Sequence, residues 1–252
     1  MTWVLLRGLT REARHWGGFA DQFAQRVAPD RVTALDLPGN GEFYQLPSPT
    51  SVSAMVGFAR QQLLKQSIQP PYKLLAMSLG GMVATDWAQR YPHEVDRLVL
   101  INTSMRPFSG VTERLRPANW PPLGLLAARW ADADHAESTV HQLTCNHIAQ
   151  RAADLMQWQQ IRKTAPVSSP NALRQLLAAA RFSCASTAPR CQVLVLSSCA
   201  DRLVNPVCST QLAQAWQAEH HSHRWAGHDL PHDDGPWVGE RVADWLSRHY
   251  SL

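Results

Sequence analysis

Ser78 stands in the stretch Leu74-Leu75-Ala76-Met77-Ser78-Leu79-Gly80-Gly81, where an apolar run ends, one serine follows and a helical pattern starts at once. A serine hydroxyl is a weak nucleophile until a base takes its proton and an acid orients that base. Two later stretches offer such partners. Ser198-Cys199-Ala200-Asp201 follows the apolar run Val193 to Ser197, and Ala226-Gly227-His228 follows His221 to Trp225. Small residues two positions either side of Ser78 permit a sharp strand-to-helix turn, the nucleophile elbow, with Ala76 in place of the first glycine of G-x-S-x-G. The order Ser, Asp, His is the one that accompanies this elbow. A serine at a helix start is also an ordinary N-cap. What separates the two is whether Asp201 and His228 meet it at one edge of a sheet.

Acyl transfer also needs two N–H donors aimed at the developing oxyanion. Leu79, directly after the serine, supplies one. The loop Arg7-Gly8-Leu9 is expected to supply the other through Leu9, with Gly8 permitting the turn. Among the apolar residues Trp120, Leu123, Leu125, Leu126 and Trp130, those taken as pocket lining are Trp120, Leu123 and Leu126, together with Gly8.

Other reactive residue types give weaker signals. His221 and His223 alternate onto one strand face without a visible carboxylate or cysteine partner, so they read as a solvated face. Pro231 separates His232 from the strand end, which reads as surface or loop packing. The five cysteines, Cys145, Cys184, Cys191, Cys199 and Cys208, form no C-x-x-C pair. They read as reduced, buried thiols, and neither a metal nor a cofactor is expected.

The elements that must position these residues follow from periodicity. Short apolar runs at Trp3–Leu6, Arg31–Leu35, Tyr72–Met77 and Val95–Ile101 alternate with helical patterns at His15–Val27, Ser51–Lys65 and Leu79–Arg90. That alternation signals βαβ units around a parallel sheet. It stops from Met105 to Phe182, where prolines separate short helical patterns. It resumes with Val193–Ser197, Pro206–Gln217, His221–Trp225 and Trp237–His249. The expected fold is α/β, a mostly parallel, doubly wound sheet over 1–104 and 183–252, with a helical cap inserted at 105–182. Parallel strands put all their following loops at one end of the sheet, where such sheets bind ligands.

With 252 residues and no apolar run near the ~20 needed to span a bilayer, the chain reads as one globular unit rather than a membrane protein. No signal peptide is visible and the cysteine count is odd, so the expected compartment is cytoplasmic. The net charge is +4, and the segment 105–182, with nine basic against five acidic residues, carries all of it. No Lys/Arg run of the nucleic-acid type occurs.

Taken together, these motifs resemble the α/β-hydrolase superfamily over essentially the whole chain. Asp36-Leu37-Pro38-Gly39-Asn40-Gly41 is similar to its D-x-P-G-x-G loop and Gly227-His228 to its histidine loop. The helical insertion lies where that family carries a cap. The chain starts at what would be the family's third strand. The resemblance implies Ser78 as nucleophile, Asp201 as acid, His228 as base, and Leu9 and Leu79 as oxyanion donors. Arg7 departs from the usual histidine at its place, and the favoured reading is a structural stand-in that knits the loop rather than an anion contact. Serine at 78, in place of aspartate, disfavours the dehalogenase and epoxide-hydrolase branches.

Within the superfamily the chain is similar to capped serine carboxylesterases, among them those acting on pimeloyl–acyl-carrier-protein methyl esters. The implied reaction is hydrolysis of a small-molecule carboxylic ester or thioester through an acyl-enzyme, without a cofactor. Alternatives are C–C bond hydrolysis or lyase chemistry on the same triad, and a non-catalytic receptor for a small ligand. The basic cap suggests an acyl carrier protein or acyl-CoA as partner, weighed against arginines that merely solvate its helices.

Overall fold

The structure, a computed structural model, describes residues 1–249. Six strands form one sheet: β1 (Thr2–Leu6), β2 (Arg31–Ala34), β3 (Tyr72–Met77), β4 (Val95–Ile101), β5 (Gln192–Ser198) and β6 (Glu219–His223). Their order is β2-β1-β3-β4-β5-β6 and every neighbouring pair is parallel. The chain runs outward from β1 to β2, then crosses to β3 on the other side of β1. The carboxyl ends of β1 and β3 therefore flank a topological switch point, where open α/β sheets form their ligand crevice.

Strand alternation divides the core into two layers. Val4, Leu6, Leu74, Ala76, Leu98 and Leu100 face α2 (Val52–Lys65), α3 (Leu79–Arg90) and α9 (Val207–Trp216). Trp3, Leu5, Leu75, Val99 and Leu194 face α1 (Phe19–Arg26) and α11 (Gly235–His249). Burial on both faces explains why the central strands are nearly unbroken apolar runs.

Between β4 and β5 lie α4 (Val111–Arg114), α5 (Trp120–Ala128), α6 (Ala133–Thr144), α7 (Arg151–Thr164) and α8 (Ser169–Arg181), none of which adds a strand to the sheet. Arg106 and Ser183 pair through an isolated bridge, so the chain leaves and rejoins the sheet layer side by side. A short helix, α10 (Leu230–Asp233), precedes α11.

Two elements differ from the sequence expectation. The helix expected over His15–Val27 is a 3-10 turn at Ala13–Trp16 followed by α1, because Gly17 adopts φ +52° and interrupts it. The last strand spans 219–223 rather than 221–225. This edge strand is made of Glu, His and Ser, so no apolar run marks its ends.

Candidate active site

Ser78 follows β3 and precedes α3 with φ 52° and ψ −120°, a backbone state that a non-glycine residue holds only when its surroundings over-determine it. Those surroundings are specific. The Ser78 N–H donates to the Ile101 carbonyl at 3.0 Å, and Thr103 Oγ1 donates to the Ser78 carbonyl at 2.8 Å. A Cβ on Gly80 would come within 2.5 Å of the Leu6 carbonyl oxygen, so α3 can approach β1 only with glycine there. Gly8 is similarly tight, its added Cβ meeting Ser78 Cβ at 3.2 Å.

Asp201 lies just beyond β5 and is 1% exposed. Its Oδ2 is 2.7 Å from His228 Nδ1, and its Oδ1 accepts from the N–H groups of Leu203 at 2.8 Å and Val204 at 3.0 Å. The carboxylate is thus fixed before any substrate arrives. Burial alone would lower the pKa of His228, but the neighbouring Asp201 charge and hydrogen bond outweigh it and raise the imidazole above its ordinary value. With Nδ1 turned to Asp201, Nε2 is the ring nitrogen left for proton transfer.

Ser78 and His228 line one cavity of about 130 Å³. Gly8 and Leu9 from the loop after β1 line it as well, and Leu123, Leu126, Trp130, Val140 and Leu143 close it from the insertion. Leu79 is the first residue of α3, where helix N–H groups have no intrahelical acceptor and favour negative charge. Next to Leu9, the Thr10 N–H donates to Gln175 Oε1 at 2.8 Å and the Arg11 N–H to the Gly8 carbonyl at 3.2 Å. The loop is thereby braced at its other amides.

Trp120 does not line this cavity. Helical spacing groups it with Leu123 and Leu126, but it opens α5, its indole N–H donates back to the Leu115 carbonyl at 3.3 Å, and the side chain is 49% exposed. His223 is not on a solvated face either: it is buried, its Nε2 lies 3.1 Å from Asp234 Oδ2, and Trp225 and Trp237 pack on its ring. His221 also has a carboxylate partner, Glu219 Oε1 at 2.6 Å. Cys199 is exposed, unlike Cys145, Cys184 and Cys208. Its place in the turn after β5 puts the thiol outside both packed layers.

Several residues that brace the site were not visible in the sequence. Asn102, in the left-handed region at φ 44°, donates from Nδ2 to the His228 carbonyl at 2.8 Å and accepts the Ser198 N–H at 2.9 Å. It ties the ends of β4 and β5 to the histidine loop; its signal was an Asn directly after a strand. Asp233 accepts from the N–H groups of Gly227 at 2.6 Å and His147 at 2.9 Å, joining that loop to the insertion. Gln175 of α8 donates to Asn40 Oδ1 at 2.9 Å, joining the insertion to the loop after β2.

Arg7 is engaged within the protein. Its guanidinium pairs with Asp229 and stacks on Trp16 at 4.8 Å. Several arginines of the insertion are engaged too: Arg106, Arg114 and Arg116 donate to backbone carbonyls, while Arg129 and Arg162 pair with Asp132 and Glu137.

A family model described as alpha/beta hydrolase fold matches residues 4–234. The chain belongs to that family. Among curated proteins, a pimeloyl-[acyl-carrier protein] methyl ester esterase of Chromobacterium violaceum is 31% identical over 118 residues, which is 47% of this chain and 40% of that protein. A protein of the same name from Pseudoalteromonas atlantica is 35% identical over 102 residues, 40% of this chain and 36% of its own length. The chain thus spans less than half the length of these curated relatives. Among solved structures, an enol-lactonase from Burkholderia xenovorans LB400 superposes with a TM-score of 0.78 at 18% identity, covering 98% of this chain and 91% of that one. A 2-hydroxy-6-oxo-6-phenylhexa-2,4-dienoate hydrolase from Rhodococcus sp. strain RHA1 gives 0.73 at 18% identity, covering 98% and 90%. At such identities the likeness is one of fold. No helix among the described residues of this α/β hydrolase is long and apolar enough to cross a membrane.

Proposed function

We propose that this α/β hydrolase cleaves carboxylic esters or thioesters through an acyl-enzyme on Ser78, with His228 as general base and acid and Asp201 as its orienting carboxylate. One observation carries the reading: an imidazole buried and held through Nδ1 by Asp201 shares a cavity with a serine at a strained strand-to-helix turn.

In this mechanism Ser78 Oγ attacks the acyl carbon while His228 Nε2 takes its proton, and the Asp201 charge stabilises the imidazolium. The carbonyl oxygen becomes an oxyanion and accepts from the N–H groups of Leu79 and Leu9. His228 then protonates the departing alcohol or thiol, and the ester bond breaks. Water enters, gives its proton to His228 and adds to the acyl carbon; collapse of the second intermediate returns the proton to Ser78 Oγ and releases the acid. The apolar wall of Leu123, Leu126, Val140 and Leu143 fits an aliphatic or aromatic acyl group of modest size. The names of the curated relatives support ester cleavage over C–C cleavage.

The test is a panel of p-nitrophenyl esters of rising acyl length, run on wild type and Ser78→Ala, with labelling by a fluorophosphonate. Turnover and labelling of wild type, with ~10³-fold or greater loss of kcat in Ser78→Ala, is the expected result. Wild type inert toward every ester and unlabelled would remove the reading. The net positive charge of the insertion fits an acyl-carrier-linked or CoA-linked substrate as an extension of the same proposal. For such an ester kcat/KM should fall more steeply with salt than for a free ester; equal slopes refute that extension.

A further inference from the structure

His141 and Cys145 stand one helical turn apart at the end of α6, and His232 lies in α10, which directly follows the His228 loop. Each offers one ligand atom, and the three atoms lie within 4.8 Å of one another. A tetrahedral centre with bonds of about 2.0–2.3 Å to nitrogen and sulfur has ligand–ligand edges of roughly 3.3–3.8 Å, so an ion requires the side chains to close by about an ångström. Asp154 of α7 stands against both imidazoles, its Oδ2 3.0 Å from Nε2 of His141 and 3.0 Å from Nε2 of His232. A carboxylate on the ring is the outer partner that metal-bound histidines ordinarily have.

A second observation is independent of that spacing. Asp154 is buried, and among the described residues its ion-pair partners are these two imidazoles, with no guanidinium or ammonium opposite it. One buried carboxylate oxygen facing both rings fixes their orientation relative to each other, as a metal site requires of its imidazoles. Access exists as well: a cavity of about 240 Å³ is lined by His141 and Cys145. Of its two arginines, Arg151 donates to Ser138 Oγ at 2.9 Å and Arg202 to the backbone carbonyl of Cys145 at 3.0 Å.

We propose that His141, Cys145 and His232, oriented by Asp154, bind one transition-metal ion of the zinc class and so pin the inserted helices to the segment that carries the candidate base. The mixed nitrogen and sulfur set selects zinc, cobalt or nickel over magnesium or calcium. Binding converts the Cys145 thiol to a thiolate and releases its proton to solvent. None of the three ligands lines the cavity of Ser78, so the ion is structural and takes no part in the ester chemistry.

The reduced full chain, stripped by a chelator, is titrated with Co²⁺ alone and then with Zn²⁺. One equivalent of Co²⁺ should bind with a thiolate-to-cobalt charge-transfer band that Zn²⁺ bleaches, and Zn²⁺ should raise Tm. The band should persist in Cys199→Ser, which removes the exposed thiol, and vanish in Cys145→Ser. His232→Gln should weaken Co²⁺ binding by at least about tenfold. Wild type without the band, or Cys145→Ser with the band unchanged, overturns the proposal. Should Cys145→Ser fail to fold, His232→Gln decides, and unaltered affinity in that variant is likewise fatal.

Discussion

Arg7 and Asp229 form a buried two-pronged ion pair, Nη1 to Oδ1 at 3.0 Å and Nη2 to Oδ2 at 2.5 Å, with both side chains under 5% exposed. The pair fastens the loop that presents Leu9 to the residue directly after His228, so the two halves of the candidate site share one brace. Burial opposes the Asp229 charge, but Arg7 outweighs it and holds the carboxyl at about 2.

That brace has a stability consequence. Arg7→Met strands the Asp229 carboxylate in the interior and should cost about 3–5 kcal/mol, read as a lower urea midpoint at pH 7. The sign of the pH dependence follows from the depressed pKa. In wild type the stabilisation is full above the ordinary value of 3.8 and is lost as pH falls toward about 2. Arg7→Met should lack this acid loss, and an equal loss in both proteins would contradict the assignment.

In the proposed mechanism His228 must be neutral to accept the Ser78 proton, and Asp201 raises its pKa above the ordinary 6.5. The acidic limb of the kcat/KM profile should therefore lie above that value, activity rising as pH climbs through it. Asp201→Asn removes the charge and leaves the lowering effect of burial. Its limb should shift to lower pH while kcat drops by roughly 10⁴. A limb that stays in place would detach Asp201 from the base.

Two glycines at the site should respond differently to alanine. Gly8→Ala puts a Cβ 3.2 Å from Ser78 Cβ, tight enough to shift Ser78 or the Leu9 amide by a few tenths of an ångström. About tenfold lower kcat with near-normal Tm is expected. Gly80→Ala drives a Cβ to 2.5 Å from a backbone oxygen of β1 and should cost at least 1–3 kcal/mol of stability, roughly the scale of core overpacking. Thermal melts and steady-state kinetics on both variants separate the two effects.

Leu126 is 6% exposed and lines the cavity, whereas Trp120 is half exposed outside it. Leu126→Ala should enlarge the cavity and move the preferred ester toward longer acyl groups. Trp120→Ala should leave the chain-length profile as it is. A profile altered by Trp120→Ala alone would reverse the assignment of the wall.

What could be read along the chain was what short-range physics specifies. Nearly unbroken apolar runs declared strands β1, β3, β4 and β5 because both faces of those strands are covered, and the small residues around Ser78 declared a tight turn because bulkier ones at Gly80 and Gly81 would collide with the end of β1 and with Thr103. The weak places were those without such a signal: the polar edge strand β6 and the Gly17 break in the first helix. Partners far apart in the chain that no motif marks were beyond reach. Arg7 and Asp229 are separated by 222 positions, and Asn102 meets the His228 carbonyl across 126. His141 and His232 converge on Asp154, and Trp120 turns away from the helix face that its spacing assigns. Periodicity tells which face of an element is apolar. Which ion pair, carbonyl or imidazole stands opposite is decided only when the inserted helices pack against the sheet edge, because burial there makes each polar group find a partner wherever the fold brings one.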